Sequence, residues 1–517
     1  MANKNLFRSL RGDSPPRPDT RNEAGGWAYS LTSEQALAQL AMTGCLTDTF
    51  YATGAAQLGA ALAVAMACDP RFVAQSALTA RREGHMKDLP ALLCAVLAVR
   101  DGALLAAVFP RVIDNSRMLR TFVQIVRSGQ VGRKSLGTLP RRLVREWLGA
   151  RSEQQLFHAS VGSSPSLADI IRMVHPKPGS PTRANFYAYL LGHPCDLALV
   201  PERIRQFEAF KLGLADLPDV PFQFLSGMPL DAAQWRTVAR RAPWTTLRMN
   251  LNTFQRHGVF ACAETTADLA ARLADADLVR AANAFPYQIM TTLHNLDEEA
   301  PAEIRQAVAA ALEVSIASVP TLPGRTVIAL DVSASMRSPA TGRRKGCSTV
   351  TTCLDVAALF AAAIVRRNPG AAVIPFHDDI CEVQLDATAA VPEIAARLRA
   401  MPEGGTNCSA VLVHLNQQSE VADTVIYLSD NESWVDTQAN GQGTAMLTEW
   451  RGFRARNPAA RLVCIDLLPY RTVQAPVADD VIHVGGFSDQ VFEVLRAVAA
   501  GDRSRDLWVD RIRRVAI

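Results

Sequence analysis

The sequence contains no run of the roughly 20 apolar residues that a membrane-spanning helix requires. One of its longest apolar runs, Leu89–Val99, stops at Arg100. Residues 1–22 carry charges and prolines but no apolar core, so they do not form a secretory signal and are expected to be a disordered tail. Together these absences predict a globular protein that is located in the cytoplasm.

The sequence also lacks the common signatures of zinc sites and hydrolytic enzymes. Its ten cysteines include no Cys-x-x-Cys pair, and most lie in apolar segments, which is typical of reduced, buried cysteines. There is no His-Glu-x-x-His motif, no Cys/His cluster, no P-loop and no Ser-His-Asp signature. Nothing therefore indicates a structural zinc site, a P-loop nucleotide hydrolase or a serine hydrolase.

What is present divides the chain of 517 residues into two patterns. Residues from about 31 to 316 show apolar positions at helical spacing, interrupted by Gly, Pro and Asp, with few windows rich in β-formers. One predicted helix, Ser166–Val174, has Ser166 as its N-cap and Asp169 three residues later. Repeated helical hairpins predict an α-solenoid, although no strict sequence period is visible.

After the proline-rich junction at 319–324 the pattern changes to strands that alternate with helices. This alternation predicts βαβ units and a mainly parallel, doubly wound sheet. The predicted strands are 326–331, 371–376, 424–430, 461–467 and 481–484, and the predicted helices are about 353–367, 391–400, 408–418, 443–456 and 488–499.

Hard oxygen donors follow three of these predicted elements. Asp331, Ser333 and Ser335 come at the end of the first strand, where an open α/β sheet binds its ligands. Thr406 lies in a Gly-rich loop that opens a helix, and Asp430 ends the third predicted strand. Carboxylates and hydroxyls suit Mg²⁺, with Mn²⁺ or Ca²⁺ as alternatives, better than zinc.

This order of donors resembles the metal-ion-dependent adhesion site of von Willebrand A domains. Two other interpretations of the motif stay open. An aspartyl-phosphate enzyme could use Asp331, but such enzymes need a second Asp where this chain has Ser333. A pure adhesion module could recruit a partner's acidic side chain through the open metal position.

Positive charge is concentrated in residues 101–150, which hold 9 Lys or Arg and 3 Asp or Glu, a net charge of +6. Such a cluster indicates a polyanion partner. The candidate RNA-binding residues in this region are Arg111, Arg117, Arg120, Arg127, Arg133, Lys134, Arg141, Arg142 and Arg145.

Several motifs, in order, resemble the Ro ribonucleoprotein family, specifically its bacterial members. The helical part resembles the TROVE module, and the likeness runs from about residue 22 to residue 500. The motifs are Asn22–Gly26 (NEAGG), Gly132–Lys134 (GRK), Asp169–Pro178 (DIIRMVHPKP), Thr245–Asn252 (TTLRMNLN), Ala284–Thr292 (AFPYQIMTT), Asp331–Met336 (DVSASM), Gly404–Ser409 (GGTNCS) and Asp430–Glu432 (DNE).

The resemblance implies a ring-shaped α-solenoid of HEAT-like repeats over 23–320, followed by a doubly wound, Rossmann-like von Willebrand A domain over 321–517. It further implies a monomeric, non-catalytic protein that binds a Y-like small RNA on its outer surface. Single-stranded ends of misfolded RNAs would thread through a basic hole, and an exoribonuclease could be tethered for RNA quality control. His175 and Lys177 match a family motif and are expected to contact a nucleotide.

The chain departs from the family pattern at two places. Residues 343–352 cannot be aligned with confidence, and residues 501–517 extend beyond the usual end of the family. The sequence gives no functional interpretation of this extension.

Overall fold

The computed structural model describes residues 15–43, 46–317, 319–340, 351–435, 443–488, 490–502 and 506–517. The helices are α1 Ser33–Thr43, α2 Gly54–Ala67, α3 Pro70–Arg82, α4 Asp88–Arg100, α5 Gly102–Val112, α6 Ser116–Ser128, α7 Thr138–Gly149, α8 Glu153–Ala159, α9 Leu167–Val174, α10 Pro181–Leu191, α11 Glu202–Lys211, α12 Phe222–Leu225, α13 Ala232–Arg241, α14 Trp244–Met249, α15 Leu251–Arg256, α16 Ala263–Ala274, α17 Ala276–Ala282, α18 Pro286–His294, α19 Ala302–Ile316, α20 Cys353–Arg367, α21 Val391–Arg399, α22 Ala410–Gln417, α23 Ala445–Arg456, α24 Gln490–Ala499 and α25 Leu507–Arg513. The strands are β1 Thr20–Arg21, β2 Trp27–Ser30, β3 Thr326–Asp331, β4 Ala372–Phe376, β5 Thr424–Ser429, β6 Arg461–Asp466, β7 Thr472–Val473 and β8 Val481–Gly485.

The described residues fall into two compact units, and chain order does not separate them cleanly. The sheet unit consists of the described residues within 15–43, 47–58 and 319–511. The helical unit consists of residues 46, 59–317 and 512–517. Within the described parts no helix is long and apolar enough to cross a membrane.

The sheet unit is built on a five-stranded parallel sheet in the order β4-β3-β5-β6-β8. Every residue of β3 and β5 is buried, as expected for central strands covered by helices on both faces. The chain leaves β3 for β4 on one side and then returns to β5 on the other. The carboxyl end of β3 is therefore the topological switch point, where doubly wound sheets bind ligands. The predicted fold class is confirmed.

The N-terminal segment joins the sheet unit, whereas the sequence analysis assigned residues 1–22 to a tail and 23–320 to the helical domain. Strand β2 pairs with β1 and with β7, where Tyr29 lies opposite Val473. Helix α1 packs beside β8, and Gln39 lies so close to Gly485 that an added Cβ there would meet its side chain at 2.4 Å. Residues 1–14 lie outside the described part of the chain.

The helical unit is an α-solenoid whose successive helices pack against near neighbours, as α3 does on α4 and α16 on α19. The rings of His85 and Phe285 lie 5.9 Å apart, so residues near the beginning and the end of the helical series meet. Ser166 caps α9 in a capping box with Asp169, as predicted.

Arginine side chains link successive helical pairs. The guanidinium groups of Arg100, Arg133, Arg183 and Arg272 donate hydrogen bonds to backbone carbonyls 30 to 35 residues earlier, at or near the ends of preceding helices. The last carbonyls of a helix have no intrahelical partner, so an arginine from the next pair satisfies them. This spacing supplies the structural repeat that the sequence did not show.

The described residues 506–517 of the C-terminal extension are held by buried side chains and by hydrogen bonds to the backbone. Trp508 and Ile512 on α25 are buried. Gln75 donates to the carbonyl oxygens of Arg513 at 2.7 Å and Val515 at 3.0 Å. Residues 512–517 therefore belong to the core packing of the helical unit.

Arg133 and Lys134 are adjacent and carry the same charge, but the Arg133 side chain links helices and the Lys134 side chain faces solvent. Arg133 donates to the Ala98 carbonyl at 2.7 Å, whereas Lys134 is exposed. We expect Arg133→Ala to lower the free energy of unfolding by about 1.5 kcal/mol, because a charge-assisted bond to a helix end is lost. Lys134→Ala should change it by less than about 0.5 kcal/mol. Urea denaturation checks both values, and equal midpoints for the two variants would contradict the linking role.

Candidate functional site

The carboxyl end of β3 presents the first predicted metal ligands in a buried, ordered arrangement. The backbone N–H of Ser333 donates to Asp331 Oδ1 at 2.9 Å, and the Ser429 hydroxyl donates to Asp331 Oδ2 at 2.5 Å. The hydroxyl oxygens of Ser333 and Ser335 lie 3.1 Å apart. Because both Asp331 oxygens already accept hydrogen bonds, this carboxylate is held in one orientation.

The loop that carries Thr406 is tied to both neighbouring strand ends. The N–H of Ala334 donates to the Gly404 carbonyl at 3.1 Å. The Thr406 carbonyl accepts a bond from the Trp434 N–H at 3.0 Å, and the Thr406 side chain is buried. The structure thus brings Thr406 into the same region as the serines that follow β3 and the residues that follow β5.

Asp430, directly after β5, is the least compensated group of this region. It is 1% exposed, and neither of its carboxylate oxygens has a hydrogen-bond partner among the described residues. Burial, followed by the negative charge of Asp331, raises the pKa of Asp430 to about 7. Burial likewise raises the pKa of Asp331. A buried carboxylate of this kind requires a proton or a cation.

The donor set fits a hard divalent cation and not a soft one. Within the parts of the chain that the structure describes, no three His, Cys, Asp or Glu side chains converge to hold a metal ion. A site here would therefore depend on the hydroxyls of Ser333, Ser335 and Thr406 together with Asp331 and Asp430. Such a cation would supply the partner that the two carboxylate oxygens of Asp430 lack.

Two further buried carboxylates belong to this region, and the sequence analysis did not select them. Glu432 and Asp466 are 0% and 5% exposed, and one oxygen of each has no hydrogen-bond partner among the described residues. Burial, together with the charge of Asp430, raises both pKa values well above the usual range. Asp466 ends β6 as Asp331 ends β3, so the strand-end rule could have found it.

The N-terminal motif at 22–26 holds the loop after β5 in place. The Asn22 side chain donates to the Ser433 carbonyl at 2.7 Å and accepts from the Gly26 N–H at 2.7 Å. A Cβ on Gly26 would meet the Ser433 carbonyl oxygen at 2.0 Å, so only glycine allows this approach. The N–H of Ala24 donates to Glu432 at 3.2 Å.

A cavity of about 260 Å³ opens beside these residues. Ser335, Thr406 and the glycines of the 404–405 loop line it, together with the aromatic side chains of Phe50, Tyr51 and Trp434. The sequence analysis did not associate these aromatic residues with the metal motif, and no local pattern links residue 51 to residue 335.

In the helical unit, hydrogen bonds connect predicted RNA-binding arginines on α6 and α7 to the end of α9, beside the predicted RNA-binding residue His175. Arg145 on α7 donates to the carbonyl of Val174 at 2.5 Å, and Arg127 on α6 reaches the sulfur of Met173 at 2.9 Å. Both contacts lie at the end of α9, next to His175, which is exposed and adopts the left-handed conformation with φ of 48°. We call Arg127, Arg141, Arg145, His175 and Lys177 the α7–α9 surface.

The other predicted basic residues differ in how far the protein itself engages them. Arg111 donates to the Ala516 carbonyl, Arg120 to the Ala159 carbonyl and Arg133 to the Ala98 carbonyl. Arg117 pairs with Asp88 at 3.6 Å, and Arg142 pairs with Glu146 at 3.5 Å. Lys134, Arg141 and Lys177 are exposed, and their side chains make no hydrogen bond or ion pair within the described residues.

Comparison with known proteins matches both parts of this architecture. Residues 325–499 match the family model described as the Ro60 vWA domain. The RNA-binding protein RO60 of Deinococcus radiodurans is 22% identical, and the match covers 96% of this chain and 100% of that protein.

The crystal structure of the Deinococcus radiodurans RO (RSR) protein superposes with a TM-score of 0.63 at 20% identity. The superposition covers 91% of this chain and 99% of that one, which extends the shared fold to the helical unit. Residues 325–499 therefore match a Ro60 von Willebrand A domain, and along nearly its whole length the chain is similar to a bacterial Ro protein in sequence and in fold.

Proposed function

We propose that this protein is a non-catalytic RNA-binding scaffold of a ribonucleoprotein, and that the α7–α9 surface contacts the RNA. The observation that carries the proposal is the grouping of exposed cationic side chains with His175 at the end of α9. The full-length match to a protein named for RNA binding supports it. The proposed ligands are a Y-like small RNA and the single-stranded ends of misfolded RNAs, in the setting of RNA quality control in the cytoplasm.

Two cations of this surface, Arg141 and Lys177, suit phosphate binding because their side chains have no partner among the described residues, whereas Arg127 and Arg145 also hold the end of α9. Arg141 lies one helical turn before Arg145 on α7, so the two occupy neighbouring positions of one face. Arg141 and Lys177 are exposed. Cations of this kind neutralise phosphates irrespective of sequence, and an exposed His ring can stack on an unpaired base. Such a surface accepts many RNAs, as a scaffold for misfolded clients requires.

The geometry of Asp331 argues against the phosphoryl-transfer alternative. A nucleophilic carboxylate needs an accessible oxygen and a nearby acid/base group. Asp331 is fully buried, and both of its oxygens accept hydrogen bonds. The position two residues later is Ser333, whose hydroxyl cannot replace a carboxylic acid in proton transfer. An exoribonuclease, if one acts on the bound RNA, would therefore be a separate partner protein.

We further propose that the sheet unit binds one divalent cation, Mg²⁺, with Mn²⁺ or Ca²⁺ as substitutes. Ser333, Ser335 and Thr406 would contact the cation, and Asp331 and Asp430 would act directly or through water. When bound, the cation would neutralise Asp430 and offer an open position to a partner's carboxylate. The unpartnered oxygens of Asp430 support this assignment.

RNA binding should depend on the exposed charges of the α7–α9 surface. For a duplex with a single-stranded 3′ overhang of about ten nucleotides, we expect Arg141→Glu/Lys177→Glu to lower affinity at least about tenfold. The slope of log affinity against log salt should fall by about 1.4, because two phosphate contacts are lost. Filter binding at several salt concentrations measures both quantities, and a blunt duplex should bind more weakly than the overhang RNA.

The matched control reverses Arg71 and Arg205, which are also exposed in the helical unit but lie outside this surface. Arg71→Glu/Arg205→Glu changes the net charge by the same amount and should retain affinity within about twofold. An equal loss of RNA affinity in both double variants would mean that overall charge, and not the α7–α9 surface, determines binding. Equal affinity of wild type for blunt and overhang RNA would refute recognition of single-stranded ends.

Mg²⁺ should stabilise the protein more at pH 8 than at pH 5. The folded-state pKa of Asp430, about 7, lies above the value of about 4 for an unfolded Asp. Without a cation this group therefore destabilises the folded state as pH rises from about 4 through 7. At pH 8 Mg²⁺ should raise the melting temperature relative to EDTA, whereas at pH 5 protons occupy the carboxyl group and the rise should be small.

Asp430→Asn should abolish this pH-dependent response to Mg²⁺, whereas Asp268→Asn, which removes an exposed carboxylate of the helical unit, should retain it. Isothermal calorimetry should likewise show no Mg²⁺ binding in Asp331→Ala, with RNA affinity largely unchanged. If Asp331→Ala stays folded but loses RNA binding, the proposed division of labour between the units is wrong.

A further inference from the structure

The turn at residues 49–52 is fixed rigidly within the sheet unit. The N–H of Thr49 donates to the Ala52 carbonyl at 2.8 Å, and the Ala52 N–H donates to the Thr49 hydroxyl at 3.2 Å. The Tyr470 hydroxyl donates to the same Thr49 oxygen at 3.0 Å, and the Tyr470 ring lies 6.2 Å from the ring of Tyr51. These contacts hold Phe50 and Tyr51 at the tip of the turn.

Tyr51 forms one wall of the cavity that contains Ser335 and Thr406. Its side chain carries a phenol hydroxyl, which can donate a hydrogen bond. The cavity therefore has a phenolic hydrogen-bond donor among the residues that line it, together with two of the proposed metal ligands.

The entrance of the cavity is aromatic and exposed. Phe50 and Trp434 line it with 55% and 45% of their surfaces exposed, although large aromatic side chains usually gain by burial. A volume of about 260 Å³ holds several waters at about 30 Å³ each, and so can admit a carboxymethyl group with part of a neighbouring ring.

We propose that Tyr51 is a specificity-determining residue for an acidic side chain of a partner protein. One oxygen of that carboxylate would bind the cation, and the other would accept a hydrogen bond from the Tyr51 phenol. Phe50 and Trp434 would contact an aromatic side chain next to the acid. This inference rests on the metal site proposed above and adds to it the chemistry of the partner.

The alternative role for Tyr51 is an internal plug that keeps outside carboxylates away. The structure favours the receptor role for two reasons. The turn is anchored at Thr49 from both sides, which suits a fixed wall better than a gate that must move. A cavity stands open between Tyr51 and the metal-site loops, so the phenol does not fill the space.

The test uses the full chain loaded with Mn²⁺, which reports directly on bound carboxylates. Acetate and 3-phenylpropionate are titrated while water proton relaxation follows the loss of water from Mn²⁺. Wild type should bind 3-phenylpropionate more tightly than acetate. Tyr51→Phe keeps the ring and removes the donor, so both affinities should fall about tenfold. Trp434→Ala should remove the preference for 3-phenylpropionate and leave acetate binding unchanged.

Mn²⁺ affinity, measured by calorimetry without carboxylate, should stay within about twofold in both variants. Unchanged or increased carboxylate affinity in Tyr51→Phe would overturn the inference, and an increase would identify Tyr51 as a plug. Failure of both carboxylates to bind wild type loaded with Mn²⁺ would overturn this inference alone. Absence of Mn²⁺ binding in wild type would overturn the metal site and this inference together.

Discussion

Buried negative charge at the carboxyl edge of the parallel sheet is the constraint on which the sheet unit depends. Asp331, Asp430, Glu432 and Asp466 are each at most 5% exposed, and desolvation disfavours their charged forms. Uncompensated, such charges would cost several kcal/mol each. The hydroxyl groups around Asp331, the backbone N–H that Ala24 offers to Glu432 and the proposed cation next to Asp430 are all responses to this one electrostatic problem.

The helical unit solves a different problem with the opposite charge. Each helix of a solenoid ends in carbonyl groups that lack partners, and arginines from later helices donate to them. Arginine suits this task because its several N–H donors can serve two carbonyls at once, as those of Arg100 and Arg183 do. The positive charge of the sequence therefore divides into a structural share and an exposed share, and only the exposed share is free to meet phosphates.

The positions of the strand ends could be predicted from the sequence, because each buried apolar run stops where its strand stops and parallel strands end at the same edge of the sheet. The apolar run that ends at Asp331 placed this carboxylate at the carboxyl edge of the sheet, and the fold class followed from strand–helix alternation. The position of Tyr51 could not be predicted, because it lines the same cavity as Ser335 although no periodicity relates the two positions. The division among the arginines was equally hidden. Arg133 and Lys134 are adjacent and equally charged, yet only the folded chain shows which of them meets a carbonyl.

The N-terminal segment was assigned by sequence order to the helices that follow it, whereas its hydrogen bonds lead to the last third of the chain.

The hydrogen bond from the Asn22 side chain to the Ser433 carbonyl has a consequence for folding during synthesis. Its two residues are 411 positions apart, and the strand pair formed by β2 and β7 spans a similar separation. At a synthesis rate of about 5 to 20 residues per second, the N-terminal segment leaves the ribosome roughly 20 to 80 seconds before its partner exists. The helical unit can begin to fold during that interval from contacts close in sequence. The contacts of the N-terminal segment with the sheet form last, so a nascent chain exposes the edge of β2 and the apolar face of α1 until synthesis is nearly complete.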